Sequence, residues 1–147
     1  MDRVRQLADA QDRAISIMEG VPDDGGVDVV LNVCGSLRRL MDAEVRHVTL
    51  SATGLERTLS RVFVECVSAL RAEDGTSVNK TCVWLREDIF APRNELYGDS
   101  FIDFGAVGVV IRLLDHARAL ESVGGEQRDK SLAHIANYAV MALVVLG

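Results

Sequence analysis

The sequence predicts an all-α protein, a single-domain bundle of about five or six helices over residues 1–147. Apolar residues recur at helical spacing through most of the chain, for example at Leu55 and Leu59. Two prolines, Pro22 and Pro92, and two pairs of glycines separate the periodic stretches. A chain of 147 residues has the length of one domain, and it can bury about two-thirds of its unfolded surface.

Three helices are expected in the N-terminal half. The first lies around 3–18, and the second follows an apolar stripe over 30–45, although the β-branched start of that stripe would also suit a strand. The third stripe, over 55–70, has the most regular helical spacing. Thr53 and Glu56 form a capping box at its start, which predicts where the helix begins.

The C-terminal half predicts a helix capped by Ser77 and ended by Pro92, followed by a polar connection over 93–103. Two further helices are expected over 104–123 and 126–146, and the short diglycine link between them predicts antiparallel packing. Their expected core positions are Val107, Val110, Ile111 and Leu114 in the first helix, and Leu132, Ile135, Ala139 and Leu143 in the second.

Bulk properties narrow the classes of partner. A net charge of −6 argues against extended nucleic-acid binding and against binding to anionic lipid. It is compatible with a small anionic ligand that a few arginines hold. The apolar stretch over 135–146 is too short to span a membrane, and the charged N-terminus does not resemble a signal peptide. Three cysteines without a CxxC pair indicate buried reduced thiols and a cytoplasmic protein.

The run NELYGDSF, over 94–101, places an aromatic ring, a glycine and two carboxylates just before a helix. A helix N-terminus suits a phosphate, and the neighbouring carboxylates suit the magnesium that accompanies nucleotide phosphates. The alternative is a structural turn, in which Asp99 or Asp103 caps the helix and Tyr97 packs over it.

Polar side chains on the last two helices extend this candidate site. Arg112, Asp115 and Arg118 follow one flank of a helix, either as a surface salt bridge or as a phosphate-binding arginine pair around a metal carboxylate. Asn137 lies in an apolar stretch, so it is expected to have a hydrogen-bond partner in a neighbouring helix or a ligand. His134 is expected to be a core histidine rather than a metal ligand.

The strings ELYGDSFIDFGAVGVVIRLLDHARAL and DKSLAHIANYAVMALVVL resemble the C-terminal signature of the nucleotide-modification-associated domain family of bacteriophages and bacteria. The resemblance covers 94–146. It implies an α-helical protein that binds or acts on nucleotides, similar in pattern to the all-α nucleoside triphosphate pyrophosphohydrolases of the MazG type. Those enzymes hold magnesium between acidic residues on adjacent helices.

The resemblance implies roles for individual residues of this chain. Asp99 and Asp115 would be catalytic, and they would hold Mg²⁺ together with Glu95 and Asp129. Tyr138 also matches the pattern. The nucleotide-binding residues would be Tyr97, Gly98, Ser100, Arg112, Arg118 and Asn137.

Three positions depart from the family pattern. Leu96 and His134 stand where the family has aspartates, and His116 replaces a lysine. Losing two carboxylates weakens a magnesium site, since the ion prefers oxygen ligands. Three functions follow as alternatives: a magnesium-dependent nucleoside triphosphate pyrophosphohydrolase, a nucleotide-binding module without catalysis, or a structural helical protein. A homo-oligomer is expected in each case.

Overall fold

The computed structural model describes residues 2–21, 26–45, 52–98 and 100–147, with the backbone alone at 43–45, 52–53, 73–74 and 97. These ranges are helical apart from short turns and contain no strand, which confirms the predicted all-α bundle. The elements are α1 (Arg3–Ile17), α2 (Val27–Val45), α3 (Ala52–Asp74), α4 (Val78–Val83), a π-helical segment (Trp84–Phe90), α5 (Ala91–Tyr97), α6 (Ser100–Leu120) and α7 (Gly125–Leu146).

Among the described residues, side chains cap two of these helices at their N-termini. Asp2 accepts a hydrogen bond from the backbone N–H two residues on, at 3.0 Å. Ser77 accepts one from the N–H three residues on, at 3.2 Å, as predicted. Each cap satisfies a backbone donor that the helix itself leaves free. The helix predicted to start at a Thr53 cap begins at Ala52, and the side chain of Thr53 lies outside the described part.

The apolar stripes of α2 and α3 form one side of the core. Val30 and Leu37 of α2 are fully buried, as are Leu59 and Phe63 of α3. The β-branched start of the second stripe is therefore helical rather than a strand. Tertiary packing of the stripe outweighs the weak preference of valine for strands.

The last helix, α7, lies at the centre of the bundle and packs against α1, α3, α6 and the π-helical segment. Its side chains are buried on almost every side from Ser131 to Leu143. A helix that is apolar all round is typical of such a central position, and its alanines let neighbouring helices approach closely. The predicted core positions are all buried, namely Leu132, Ile135, Ala139 and Leu143.

The helix α7 returns along α6 after a short connection over 121–124, so the two helices pack antiparallel as expected. The predicted core face of α6 is wrong in part. Val110 is buried, but Val107 and Ile111 are 47% and 53% exposed, and Leu114 is half-buried. The side chains of α6 that are buried against the core are Phe101, Val109, Val110, Leu113, Ala117 and Leu120.

The prediction that Pro92 ends a helix is also wrong, because the chain stays helical from Val78 to Tyr97. A proline in an α-helix clashes with the carbonyl four residues earlier. Here the π-helical segment directly precedes Pro92, and the Ala91 N–H donates to the carbonyl of Arg86, five residues back. This wider turn accommodates the proline ring, so 93–97 are helical instead of forming a loop.

Cys34, Cys66 and Cys82 are buried free thiols, as predicted. Burial raises the pKa of Cys34 to about 12 and that of Cys82 to about 11, so neither is a reactive thiolate near neutral pH. None of the helices within the described ranges has the length and hydropathy that crossing a lipid bilayer requires.

Candidate functional site

A cavity of about 400 Å³ lies where the end of the π-helical segment and α5 face α6 and α7. Its volume is within the range of small-ligand sites. One wall is apolar and aromatic, formed by Ile89, Phe90, Phe101, Phe104, Val109 and Met141. The polar side chains that line it are Arg93, Asn94, Ser100, Arg112, His134 and Asn137.

The aromatic part of the wall is built around two phenylalanines and a glycine. Phe90 and Phe101 meet edge to face, with ring centroids 6.2 Å apart and ring planes at 81°. Gly105 has a φ of 72°, which kinks α6 just after Phe104. A Cβ atom on Gly108 would lie 2.7 Å from the Cβ of Phe104, so only glycine at that position admits the phenylalanine. Phe104 therefore stays at the cavity mouth, 62% exposed.

The turn between α5 and α6 depends on a second glycine. Gly98 has a φ of 67°, and its N–H donates to the carbonyl of Asn94 at 2.7 Å, which closes α5. This left-handed conformation favours glycine over other residues. The turn brings Gly98 and Ser100 to the cavity lining.

Three rings and a guanidinium stack beside the cavity. The ring centroid of His116 lies 4.8 Å from that of His134 and 5.4 Å from that of Tyr138. Arg93 Nη1 lies 3.0 Å from Nδ1 and 3.2 Å from Nε2 of His134. A point in the ring plane at those distances would collide with the carbon between the two nitrogens, so the guanidinium lies over the ring face.

Both histidines are neutral at pH 7. Burial, followed by the charges of Arg93, His116 and Lys130, lowers the pKa of His134 to about 4. Burial also lowers the pKa of His116, with Arg93 and Arg112 acting in the same direction and Asp115 opposing them. The positive charge of the cavity therefore comes from arginines and not from imidazoles.

The two arginines of the cavity find no carboxylate partner among the residues that the structure describes. Neither Arg93 nor Arg112 forms an ion pair within the described part of the chain. No carboxylate of the described ranges lines the cavity. In a chain of net charge −6, this is a local excess of positive charge beside an apolar wall. Such a surface attracts an anion.

Asn137 supplies a buried acceptor for which the described part of the chain offers no donor. Its side-chain Nδ2 donates to the backbone carbonyl of Leu85 at 2.9 Å, so the expected partner in a neighbouring helix is present. Asn137 is only 4% exposed, and its Oδ1 accepts no hydrogen bond from any described residue. A buried acceptor left in this state costs about 1–3 kcal/mol. The Oδ1 of Asn94 is also buried, again without a partner in the described ranges.

Only some of the predicted site residues lie together in the structure. Of the nucleotide-binding residues that the resemblance implies, four line the cavity, namely Gly98, Ser100, Arg112 and Asn137. Asp115 and Arg118 are exposed on α6 outside the lining and form no ion pair with each other or with Arg112, so the surface salt bridge is not formed. Asp99 and the side chain of Tyr97 lie outside the described residues.

The carboxylates within the described ranges do not form a magnesium site. Glu95 is exposed on α5, and Asp129 lies 3.8 Å from Arg128, so neither of them lines the cavity. Of the side chains that the structure describes, no three from His, Cys, Asp and Glu come together where they would hold a metal ion. The Mg²⁺ that the resemblance implies stays a prediction, since Asp99, one of its expected ligands, lies outside the described residues.

Sequence reasoning missed Arg93, Asn94 and Phe104 and assigned no ligand role to His134. Interpreting Pro92 as a helix end put the first two in a loop. The available signal was the spacing of His134 and Asn137 on one helix face. Arg93, directly after the proline, joins them once the helix is known to continue.

Comparisons of the chain with protein families, with curated proteins and with solved structures find no match.

Proposed function

We propose that this protein binds a nucleotide in the cavity between α5, α6 and α7. The observation that carries the proposal is the pair of arginines on the lining of an aromatic cavity, Arg93 and Arg112, for which the described residues supply no carboxylate partner. A nucleotide joins the two chemistries that such a cavity accommodates, since it carries a phosphate and a flat, partly apolar base.

The phosphate is assigned to the arginines. Guanidinium groups bind phosphate oxygens through charge-assisted, often bidentate hydrogen bonds. Ser100, in the first turn of α6, adds an exposed hydroxyl to the same lining. Because both histidines are neutral, the phosphate affinity depends on Arg93 and Arg112.

The base is assigned to the aromatic wall. Phe104 is exposed at the mouth, and Tyr138 lines the cavity from the side of α7. Stacking of a base on an aromatic side chain contributes about 1–3 kcal/mol and tolerates different bases. The resemblance over 94–146 supports a nucleotide over other aromatic anions.

The proposal concerns binding. Magnesium-dependent hydrolysis to a monophosphate and pyrophosphate stays a prediction of the resemblance, because Asp99, one of the expected metal ligands, lies outside the described residues. The cytoplasmic location is proposed with it, and the buried free thiols support that location.

Isothermal titration of AMP and adenosine into the protein tests the proposal. We expect AMP to bind and adenosine to bind much more weakly. Arg112→Gln removes a charged hydrogen bond worth about 1.5–3 kcal/mol and should weaken AMP binding roughly ten- to hundredfold.

Arg118→Gln is the matched control, since Arg118 lies on the same helix, is exposed and does not line the cavity. It should leave the affinity within about twofold. Equal losses in the two variants, or no binding of AMP by the unaltered protein, would contradict the proposal.

A further inference from the structure

Resting on the proposed nucleotide site, we infer that Asn137 makes the cavity selective for bases that carry an exocyclic amino group. Adenine and cytosine are such bases. Their deaminated counterparts, hypoxanthine and uracil, carry a carbonyl oxygen in place of the amino group. The site therefore distinguishes nucleotides that differ by one hydrogen-bonding group.

The hydrogen bond to Leu85 fixes the orientation of the Asn137 amide. The two ends of an amide are nearly isosteric, and their assignment follows from the hydrogen-bond network. The atom 2.9 Å from the Leu85 carbonyl oxygen is a donor, because a second oxygen there would have no proton to share. Oδ1 is therefore the free end of the amide, and it can only accept.

We place the missing donor of this oxygen on the cavity side, because Asn137 is one of the residues that line the cavity. Asn137 is 4% exposed, and its Oδ1 is buried without a partner among the residues that the structure describes. An amino group on a bound base supplies an N–H to this acceptor. A carbonyl in the same place would bring two oxygens together and leave Oδ1 unpartnered. Sites that hold a buried polar group reject analogues that cannot pair with it.

Asn94 adds a second acceptor to the same lining. Its Oδ1 is likewise buried and unpartnered within the described ranges. An amino group carries two N–H donors, which matches two unpartnered oxygens better than the single ring N–H of uracil does. The adjacent charges do not oppose this, since Arg93 and Arg112 are assigned to the phosphate.

Paired titrations of AMP against IMP, and of CMP against UMP, test the inference. We expect each amino nucleotide to bind at least tenfold more tightly than its deaminated partner. Asn137→Leu removes the acceptor at similar volume and should bring the AMP-to-IMP ratio to within twofold. In Asn94→Ala, which leaves the hydrogen bond to Leu85 intact, the ratio should fall less than in Asn137→Leu.

Equal affinities of AMP and IMP for the unaltered protein would overturn the inference and leave the nucleotide site standing. Failure of all four nucleotides to bind would overturn both. If Asn137→Leu does not fold, the ratio measured on the unaltered protein still decides the question.

Discussion

The stability of the protein should depend on the protonation of His134 more than on that of an ordinary surface histidine. In the folded state, burial and the guanidinium of Arg93 hold the pKa of His134 at about 4, against an ordinary value of 6.5. The neutral ring is therefore favoured by folding. This contribution to stability is complete above the unfolded pKa and is lost as the pH falls from about 6.5 through about 4.

The size of the effect follows from the same two values. One pKa unit corresponds to about 1.4 kcal/mol. If the whole difference between the folded and the unfolded pKa of His134 contributed to the free energy of unfolding, it would amount to about 3.4 kcal/mol. The ring is only half-buried, so solvent screening reduces the expected contribution to about 1–2 kcal/mol. The groups that face the ring are Arg93 from α5, His116 from α6 and Lys130 from α7. Of these, Arg93 is closest.

Urea unfolding at about pH 7 and about pH 4 measures the effect in the unaltered protein and in His134→Gln. Carboxylates protonate over the same range in both proteins, so the comparison isolates the imidazole. We expect the unaltered protein to lose about 1–2 kcal/mol more than the variant on acidification. Equal losses in the two proteins would refute the placement of Arg93 over the ring. Arg93→Gln should raise the pKa of His134 in an NMR titration.

Two further predictions concern metal binding and assembly. Asp115 is exposed and outside the cavity lining, so Asp115→Asn should leave AMP affinity unchanged with and without magnesium and shift unfolding by less than about 0.5 kcal/mol. Loss of a magnesium-dependent affinity or of pyrophosphate release from a triphosphate would instead support the metal site of the resemblance. Val107 and Ile111 form an exposed apolar pair on α6, so the expected homo-oligomer should bury them and Ile111→Glu should yield a 16.0 kDa species in light scattering. A monomer without the substitution would contradict that assembly.

The sequence predicts the helical stretches well where one apolar stripe dominates. On α3 and α7 the buried positions are those that helical spacing indicates. On α6 two stripes compete, one with Val107 and Ile111 and another with Val109 and Leu113, and hydropathy alone does not distinguish them. Packing on α7 buries the second stripe. Apolar periodicity predicts that a helix is present more reliably than it predicts which face of the helix is buried.

The candidate site was only half accessible to sequence reasoning. Arg112 and Asn137 stand out because their polar groups lie in apolar helices. Arg93 and Asn94 do not, because proline is normally a helix breaker and the π-helical turn that accommodates Pro92 depends on tertiary contacts. One such contact is the hydrogen bond from Asn137 to Leu85, and another runs from Gln11 to the carbonyl of Cys82. Contacts between residues 52 and 71 positions apart leave no local signal.

The location of a bound nucleotide is the most direct test of this account. In a ¹H–¹⁵N spectrum titrated with AMP, we predict that the largest shifts fall on the side-chain N–H signals of Arg93 and Arg112, the side-chain amide of Asn137, and the backbone of 98–112. A second cavity of about 490 Å³ lies between α1, α3 and α4 and shares no lining residue with the first, so it serves as the internal control. Shifts confined to that cavity, or no shifts at saturating AMP, would contradict the account.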